Sequence, residues 1–294
     1  MSRFVWSFLF TLLFGQGLLL AQLPVARLLT VFPPGGKAGS QFEVALTGAD
    51  LDEANQLHFS NPGIAAKQKI GENGLPEANK FVVCIATNVT PGVYEARVVG
   101  RFGISNPRAF VVGDLPEVIA LTTNNSPAKA APISLPTRKG ERVLIECKGR
   151  EIDSRMDAAL ALYHAAGKEL ERSRSGGLLD FTPAADGEYL LKVCDFLFRG
   201  GGEYFYRLTV STGPHIDFIF PPAGLAGTKG KYLLYGRNLP GGAPAKVSTV
   251  DEKPLDQLEV EIELPREPTR QFSSPQKLAE ESGAPWLRHW AGGS

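Results

Sequence analysis

The feature that most constrains this chain is an internal repeat. Residues 31–51, VFPPGGKAGSQFEVALTGADL, recur without a gap as residues 219–239, IFPPAGLAGTKGKYLLYGRNL. The identical pairs are Phe32/Phe220, Pro33/Pro221, Pro34/Pro222, Gly36/Gly224, Ala38/Ala226, Gly39/Gly227, Leu46/Leu234, Gly48/Gly236 and Leu51/Leu239. Unrelated segments of this length share roughly one or two identities. We therefore expect the chain to build the same structural unit at both places.

The repeat itself has the pattern of a strand followed by turns. Its Pro-Pro-Gly step predicts the end of a first strand, and Gly39/Gly227 and Gly48/Gly236 predict later bends. Gly35 becomes Ala223 in the second copy, whereas Gly36 is kept as Gly224. The repeat carries no catalytic group, so it indicates where domains begin and gives no information on chemistry.

Most of the remaining segments alternate apolar and polar residues with a period of two, which is typical of half-buried strands. The clearest are 42–46, 93–99, 142–147, 187–193 and 204–210. Pro-Gly and Asn-Pro steps separate them at short spacing, which favours a sandwich or barrel over βαβ units. The one helix that the sequence predicts inside the folded region is a turn or two at 157–161. The predicted class is all-β, with β-sandwiches in tandem.

Shifts in composition divide the chain. The prediction is a signal peptide at 1–21, an immunoglobulin-like sandwich at 22–113, a second sandwich at 117–212, a partial immunoglobulin-like repeat at 214–264 and an irregular tail at 265–294. The third unit has only about half the length of an immunoglobulin-like domain. It is therefore either incomplete or completed against a neighbour.

The first residues indicate export. Arg3 precedes an apolar run from Phe4 to Leu20, and Ala21 follows, which is the pattern of a secretory signal peptide cleaved near Ala21. Leu19 stands where cleavage prefers a small residue, so an uncleaved membrane anchor is the alternative. The expected location is the periplasm, the cell surface or the extracellular space.

Charge and cysteine content exclude several classes of function. Lys and Arg total 31, as do Asp and Glu, so no basic field for nucleic acid exists. The three cysteines are too scattered for a disulfide framework or a metal site. Cys147 and Cys194 each end a strand-like run. They are either buried free thiols or one bridge formed in an oxidising compartment.

The motifs around the first repeat copy resemble a known family. Phe32-Pro-Pro-Gly-Gly, Thr87-Asn-Val-Thr-Pro-Gly and Gly103-Ile-Ser-Asn-Pro resemble an immunoglobulin-like domain of IPT/TIG type. The segments 124–128, 139–147, 153–163 and 186–193, with strand 204–210, resemble a bacterial pre-peptidase C-terminal (PPC) domain. Exported proteins of planctomycete-type bacteria place the two domains in this order.

The resemblance implies that the second sandwich is jelly-roll-like and that both modules are non-catalytic, serving export, substrate binding or adhesion beside secreted peptidases. The PPC family usually has a further strand before the Lys139–Cys147 segment. Only residues 131–138 occupy that place here, so one strand is missing from the family pattern. A sandwich without it must expose an unpaired edge or repack.

The sequence predicts no catalytic and no cofactor-binding residue. It contains no G-x-S-x-G nucleophile elbow, no subtilisin-type signature, and no H-E-x-x-H or paired Cys/His spacing for zinc. His58, His164 and His215 fall in different units and His289 in the tail, where isolated histidines are usually surface or strand-edge residues. We therefore expect no enzymatic activity.

Two weaker hypotheses concern binding. Asp153, Asp157, Asp186 and Asp195 are candidate calcium ligands because carboxylate oxygens suit that ion and PPC relatives bind it. The simpler interpretation is a turn in which aspartate oxygens accept backbone N–H bonds. Tyr204 and Tyr206, on one face of a strand with Phe205 on the other, are candidates for a ligand-binding surface, while Phe205 is expected inside the sandwich.

Together these patterns predict an exported, non-catalytic, multi-domain β-sandwich protein for binding, adhesion or scaffolding. The alternative is a truncated, non-catalytic portion of a larger secreted hydrolase, such as a peptidase. The expected partner is a protein or polysaccharide, with no nucleic acid. Contact with a membrane is expected only through an uncleaved signal anchor.

Overall fold

The computed structural model describes residues 24–120, 125–133, 138–173, 177–248 and 253–266. These residues form nineteen β-strands and two short 3-10 helices, Pro127–Lys129 and Arg150–Ile152, and none of them is in an α-helix. The predicted all-β class with tandem β-sandwiches is confirmed. The predicted signal peptide and nearly all of the predicted tail lie outside the described residues.

The first nine strands form a sandwich. They are β1 (Arg27–Phe32), β2 (Gly35–Lys37), β3 (Gln41–Ala49), β4 (Gln56–Phe59), β5 (Ile64–Ile70), β6 (Pro76–Ile85), β7 (Gly92–Gly100), β8 (Gly103–Ile104) and β9 (Arg108–Gly113). One sheet has the order β1-β3-β6-β5 and the other β2-β9-β7-β4, with β8 on β7. The inward residues of both sheets share one core, which includes Leu28, Val44, Phe81 and Phe110, as the period-two alternation requires.

Six further strands form a second pair of sheets. They are β10 (Val143–Lys148), β11 (Ala158–His164), β12 (Glu169–Ser173), β13 (Leu178–Phe181), β14 (Tyr189–Asp195) and β15 (Arg207–Ser211). The sheet orders are β13-β10-β15 and β12-β11-β14, and residues such as Ile145, Leu160 and Leu179 form their core. Between residues 114 and 142, none of the residues that the structure describes belongs to a strand.

The helix predicted at 157–161 is wrong. Residues 158–161 belong to β11, which pairs with β14 on one side and β12 on the other. Its alanines and leucines favour a helix intrinsically, but burial between two neighbouring strands decides the conformation. Local composition therefore gave a wrong prediction here, because strand pairing overrides the helix propensity of these residues.

The second repeat copy begins a single four-stranded sheet, and no opposing sheet is present among the described residues of this unit. Its strands are β16 (His215–Phe220), β17 (Lys229–Arg237), β18 (Ala243–Ser248) and β19 (Pro254–Glu263), in the order β16-β17-β19-β18. The order matches the β1-β3-β6-β5 sheet of the first sandwich. The third unit thus reproduces one half of the first.

The two repeat copies agree in detail. Arg27 pairs with Ala49 in the first copy, and His215 pairs with Arg237 in the second, each followed by a register shift at the same point. Both copies have a cis peptide bond before their first proline, and Gly39 and Gly227 have positive φ values of 80° and 72°. The repeated sequence therefore encodes a repeated backbone, as predicted.

Gly48 and Gly236 do not form the bends that the sequence predicted. Each lies inside a strand, where a Cβ would collide with the carbonyl oxygen of Arg27 or His215 on the paired strand. Their conservation between the two copies reflects close approach of two backbones at the register shift.

Two joints connect the three units. At the first, Phe205 packs with Val111 and Ile152, and Glu117 forms an ion pair of 2.6 Å with Arg207. At the second, the Asp180 carboxylate contacts Arg142 of the second unit and Arg237 of the third. The first joint is apolar at its centre, whereas the second is built from charged groups.

Candidate functional site: the apolar tip of the second sandwich

The segment between β14 and β15 carries an unusual group of exposed apolar residues. Phe196, Leu197 and Phe198 are 48%, 63% and 77% exposed, and they follow directly after the end of β14. Single exposed apolar residues are common on protein surfaces, but three large ones in a row form a patch of the kind that marks interaction sites. We refer to Phe196–Phe198 as the apolar tip.

Asp195 holds the backbone of the apolar tip in place. Its side chain is only 1% exposed. One carboxylate oxygen accepts the backbone N–H of Asp157 at 2.9 Å, and the other accepts the N–H groups of Leu197 at 3.0 Å and Arg199 at 3.1 Å. Arg199 Nε also donates to it at 3.0 Å.

The same contacts control the ionisation of Asp195. The Arg199 guanidinium lowers the pKa of the Asp195 carboxyl well below its usual range, and the backbone N–H bonds act in the same direction, whereas burial opposes them. The carboxylate is therefore ionised at any physiological pH. A charged, fully bonded anchor fixes the loop at both ends.

The backbone of the tip is further restrained from two sides. Phe196 donates its N–H to the Asp157 carbonyl at 2.7 Å, and Phe198 donates to the Asp195 carbonyl at 2.8 Å. Phe198 has a φ of 56°, in the left-handed region that bulky residues rarely adopt. An exposed phenylalanine kept in this conformation is a feature that the surroundings must stabilise.

Charged side chains lie beside the tip. Lys192 Nζ lies 5.9 Å from the centre of the Phe198 ring, and the Arg199 guanidinium lies 5.5 Å from that of Tyr204. Arg150 pairs with Asp157, and Arg155 pairs with Glu203. In both pairs the arginine side chain is 66% exposed and the carboxylate 37%, so the positive partner faces solvent more fully.

The four predicted calcium ligands have separate roles. Asp157 and Asp195 meet only through a backbone N–H, while Asp153 accepts the N–H of Ala109 in the first sandwich at 2.7 Å and Asp186 accepts that of Lys139 at 2.6 Å. Among the described residues no three His, Cys, Asp or Glu side chains form a group that could hold a metal ion. The arrangement agrees with the simpler interpretation, in which aspartate oxygens accept backbone N–H bonds.

The two predicted surface tyrosines lie elsewhere than expected. Tyr204 and Tyr206 are half-buried and pack against the core of the second sandwich, and burial raises the pKa of Tyr206. Phe205 points the other way, into the first joint. The alternation was predicted, but the tyrosines occupy the sandwich interior that was expected for Phe205. Their role as ligand-binding residues stays a prediction.

All three cysteines are free thiols. Cys147 in β10 and Cys194 in β14 belong to different sheets of the second unit, and no bridge joins them. Burial, together with Glu151 and Glu146, raises the pKa of Cys147 to about 12. This thiol is therefore a core residue without nucleophilic character.

The described histidines have separate environments. His58 contacts Gln56 at 2.8 Å, His164 accepts the backbone N–H of Ala166 at 3.1 Å, and His215 lies at the second joint. His289 lies outside the described residues. None of these contacts joins a histidine to a serine or cysteine nucleophile.

The apolar tip itself was not predicted from the sequence. The available signal was the run Phe-Leu-Phe between a strand and a Gly-Gly-Gly turn, where consecutive apolar residues break the period-two alternation. The anchoring role of Asp195 was also missed, because its bond to the Asp157 N–H joins two segments that only the fold brings together.

Comparisons with known proteins give no family. No family model matches the chain, and no curated protein matches it. One solved structure with some likeness is the γ-CGTase of alkalophilic Bacillus clarkii, at 12% identity and a TM-score of 0.22. A second is SGBP-B of the Bacteroides ovatus mixed-linkage glucan utilization locus in complex with a mixed-linkage heptasaccharide, at 10% identity and a TM-score of 0.25. A third is the D00-D0 domain of intimin, at 8% identity and a TM-score of 0.24.

The matched regions cover 62%, 63% and 81% of this chain, and 25%, 53% and 96% of those proteins. The chain thus spans about a quarter of the first structure and about half of the second. TM-scores of this size carry no argument about function. Separately, no helix within the described ranges has the length and apolar character needed to cross a membrane.

Proposed function

We propose that this chain is an exported, non-catalytic, multi-domain β-sandwich protein that acts as a binding, adhesion or scaffolding module at the cell surface or in the periplasm. In this proposal an immunoglobulin-like sandwich of IPT/TIG type precedes a PPC-type sandwich. The observation that carries the proposal is the apolar tip, which the chain keeps exposed on a fixed backbone.

The energetics of the tip favour binding as its role. Burying a side chain such as Phe or Leu is worth about 1.5–3 kcal/mol. Folding leaves Phe196, Leu197 and Phe198 exposed, so most of this free energy is available for binding a partner. Because Asp195 already fixes the loop, a partner that covers the three side chains would lose little conformational entropy in ordering it. A locked and exposed apolar surface is therefore pre-organised for a partner.

The joints support a scaffolding component. In the second sandwich, Asp153 accepts the N–H of Ala109 and Arg207 pairs with Glu117. Phe205 packs against Val111 and Ile152 at the same joint. These contacts set the orientation of the tip relative to the first sandwich. A module that presents a binding surface in a set direction suits adhesion or assembly at a cell envelope.

The proposal is tested by co-sedimentation of the purified full chain with cell-envelope fragments of the source organism. We expect the wild-type chain to sediment with the fragments and the triple variant F196S/L197S/F198S to lose at least about tenfold in affinity. A matched control, V118S/I119S/L225S, removes three other exposed apolar side chains (88%, 61% and 78% exposed) that are distant in sequence, and should bind as wild type. Wild-type binding by the F196S/L197S/F198S variant would refute the proposal.

A further inference from the structure

The tip segment has an asymmetric charge distribution. Between residues 192 and 202 the only cations are Lys192 and Arg199, and the only carboxylate is Asp195. Lys192 and Arg199 are exposed, whereas the Asp195 side chain is buried under the loop. A partner that approaches the tip therefore meets three apolar side chains and positive charge.

The loops next to the tip carry charges of both signs. Phe196 hydrogen-bonds the carbonyl of Asp157, and Arg155 donates its N–H to the carbonyl of Glu203, which follows the glycine turn. These contacts place the Arg150–Asp157 and Arg155–Glu203 pairs at the same end of the sandwich as the tip. In both pairs the arginine is the more exposed member. Glu151 and Asp153 in the same loop are exposed carboxylates, so the excess of positive charge is confined to Lys192 and Arg199.

The tip belongs to a longer exposed segment. Every residue from 196 to 202 is exposed, including the three glycines after Arg199. A protein partner must supply a pocket that matches such an exposed apolar segment, whereas a lipid bilayer deforms around it. Apolar side chains with adjacent cations are the combination that binds the interface of membranes containing anionic lipids.

We infer that the apolar tip inserts into the surface of an anionic lipid bilayer, with Phe196, Leu197 and Phe198 at the boundary between headgroups and acyl chains and Lys192 and Arg199 against the headgroups. This inference rests on the proposed binding function and names the partner of the same site. It differs from the expected membrane contact through an uncleaved signal anchor, because here the folded second sandwich itself contacts the lipid.

The test uses the full chain and two kinds of vesicle, one of phosphatidylcholine alone and one with roughly a third phosphatidylglycerol. We expect co-sedimentation with the anionic vesicles to be at least about tenfold stronger than with the neutral ones and to weaken in about 0.5 M salt. The F196S/L197S/F198S variant should lose at least about tenfold in partitioning, and the V118S/I119S/L225S control should partition as wild type.

A second measurement detects insertion directly. In a Leu197→Trp variant, lipids brominated in the acyl chains should quench the added indole fluorescence, whereas the added indole of a matched Val118→Trp variant should not be quenched. The native tryptophans are present in both variants, so the difference reports the position of the added residue alone.

The outcomes separate the inference from the proposed function. If the wild-type chain ignores both vesicles but binds envelope fragments through the tip, the partner is a protein or polysaccharide, and the lipid inference is refuted while the binding function stands. If the F196S/L197S/F198S variant binds vesicles and envelope fragments as well as wild type does, both are refuted. Tip-dependent, salt-sensitive binding to anionic vesicles with quenching at position 197 supports both.

Discussion

Asp180 Oδ2 of the second sandwich lies 3.0 Å from Arg237 Nε of the third unit, and both residues are less than a tenth exposed. The same carboxylate accepts a bond from Arg142 Nε at 2.8 Å, and Arg237 extends to Asp217 at 3.2 Å. One buried carboxylate thus faces two guanidinium groups from two units. The second joint therefore depends on Asp180 more strongly than the fold depends on an exposed pair such as Lys231–Glu259.

Replacing Asp180 by Asn should destabilise the chain by about 3–5 kcal/mol, because it removes the buried carboxylate between Arg142 and Arg237 and leaves Asp217 alone to balance Arg237. Denaturant unfolding of the purified chain measures the loss. The control is Glu259→Gln, which breaks the exposed Lys231–Glu259 pair and should cost under about 1 kcal/mol. Equal effects of the two substitutions would contradict the joint as described.

His215 should make the second joint sensitive to acid. Burial, followed by the charges of Arg237 and Lys148, lowers the pKa of His215 to about 4, and Asp180 opposes this shift. The unfolded chain has a histidine pKa near 6.5, so between pH 6.5 and about 4 the unfolded state binds a proton that the folded state does not. Stability is therefore complete above pH 6.5 and falls as the pH drops towards 4, by up to about 3 kcal/mol.

The measurement is the free energy of unfolding of the wild-type chain and of His215→Gln at several pH values in this window. Since carboxylates titrate there too, the difference between the two proteins is the informative quantity, and His215→Gln should show the shallower loss. His58→Gln, at an exposed histidine, should keep the wild-type dependence. A His215→Gln curve parallel to wild type would show that this histidine does not titrate as described.

The fold was largely predictable from local patterns because period-two alternation and turn residues act over short distances. The repeat carried more information than the rest, since it predicted that β16 and β17 would reproduce β1 and β3. The stretch 157–161 was mispredicted because pairing on both sides, which the sequence does not display, overrides alanine's helix propensity.

The candidate site was less predictable. Asp195 was singled out as a carboxylate. Its partners Leu197 and Arg199 are local, but its bond to the Asp157 N–H forms only when β11 and β14 pair. The direction of Phe205 could not be decided from alternation alone, because alternation separates two faces without telling which face meets the sandwich core and which meets another unit.

Replacing Asp195 by Asn should loosen the apolar tip without unfolding the sandwich. The amide removes the charge that holds Arg199, while one oxygen remains for the backbone N–H groups. We expect faster hydrogen exchange at the Leu197 and Arg199 amides and several-fold weaker binding of the tip to its partner. Asp186→Asn is the matched control, since Asp186 also accepts a backbone N–H but contacts Lys139. Unchanged exchange in Asp195→Asn would remove Asp195 as the anchor.

Phe198 offers a test of whether the tip is kept for function rather than for stability. Its φ of 56° costs a bulky residue roughly 1–2 kcal/mol, whereas Asn tolerates this conformation well. With its side chain 77% exposed, Phe198 has little packing to lose on substitution.

Phe198→Asn should therefore raise the free energy of unfolding by up to about 1 kcal/mol while it weakens binding of the tip. Phe196→Asn, at a position without positive φ, should weaken binding with no gain in stability. Denaturant unfolding and the co-sedimentation assay measure the two effects on the same preparations. A Phe198→Asn chain that is less stable than wild type would show that the phenylalanine ring stabilises the fold, which contradicts a ring kept exposed at a cost in stability.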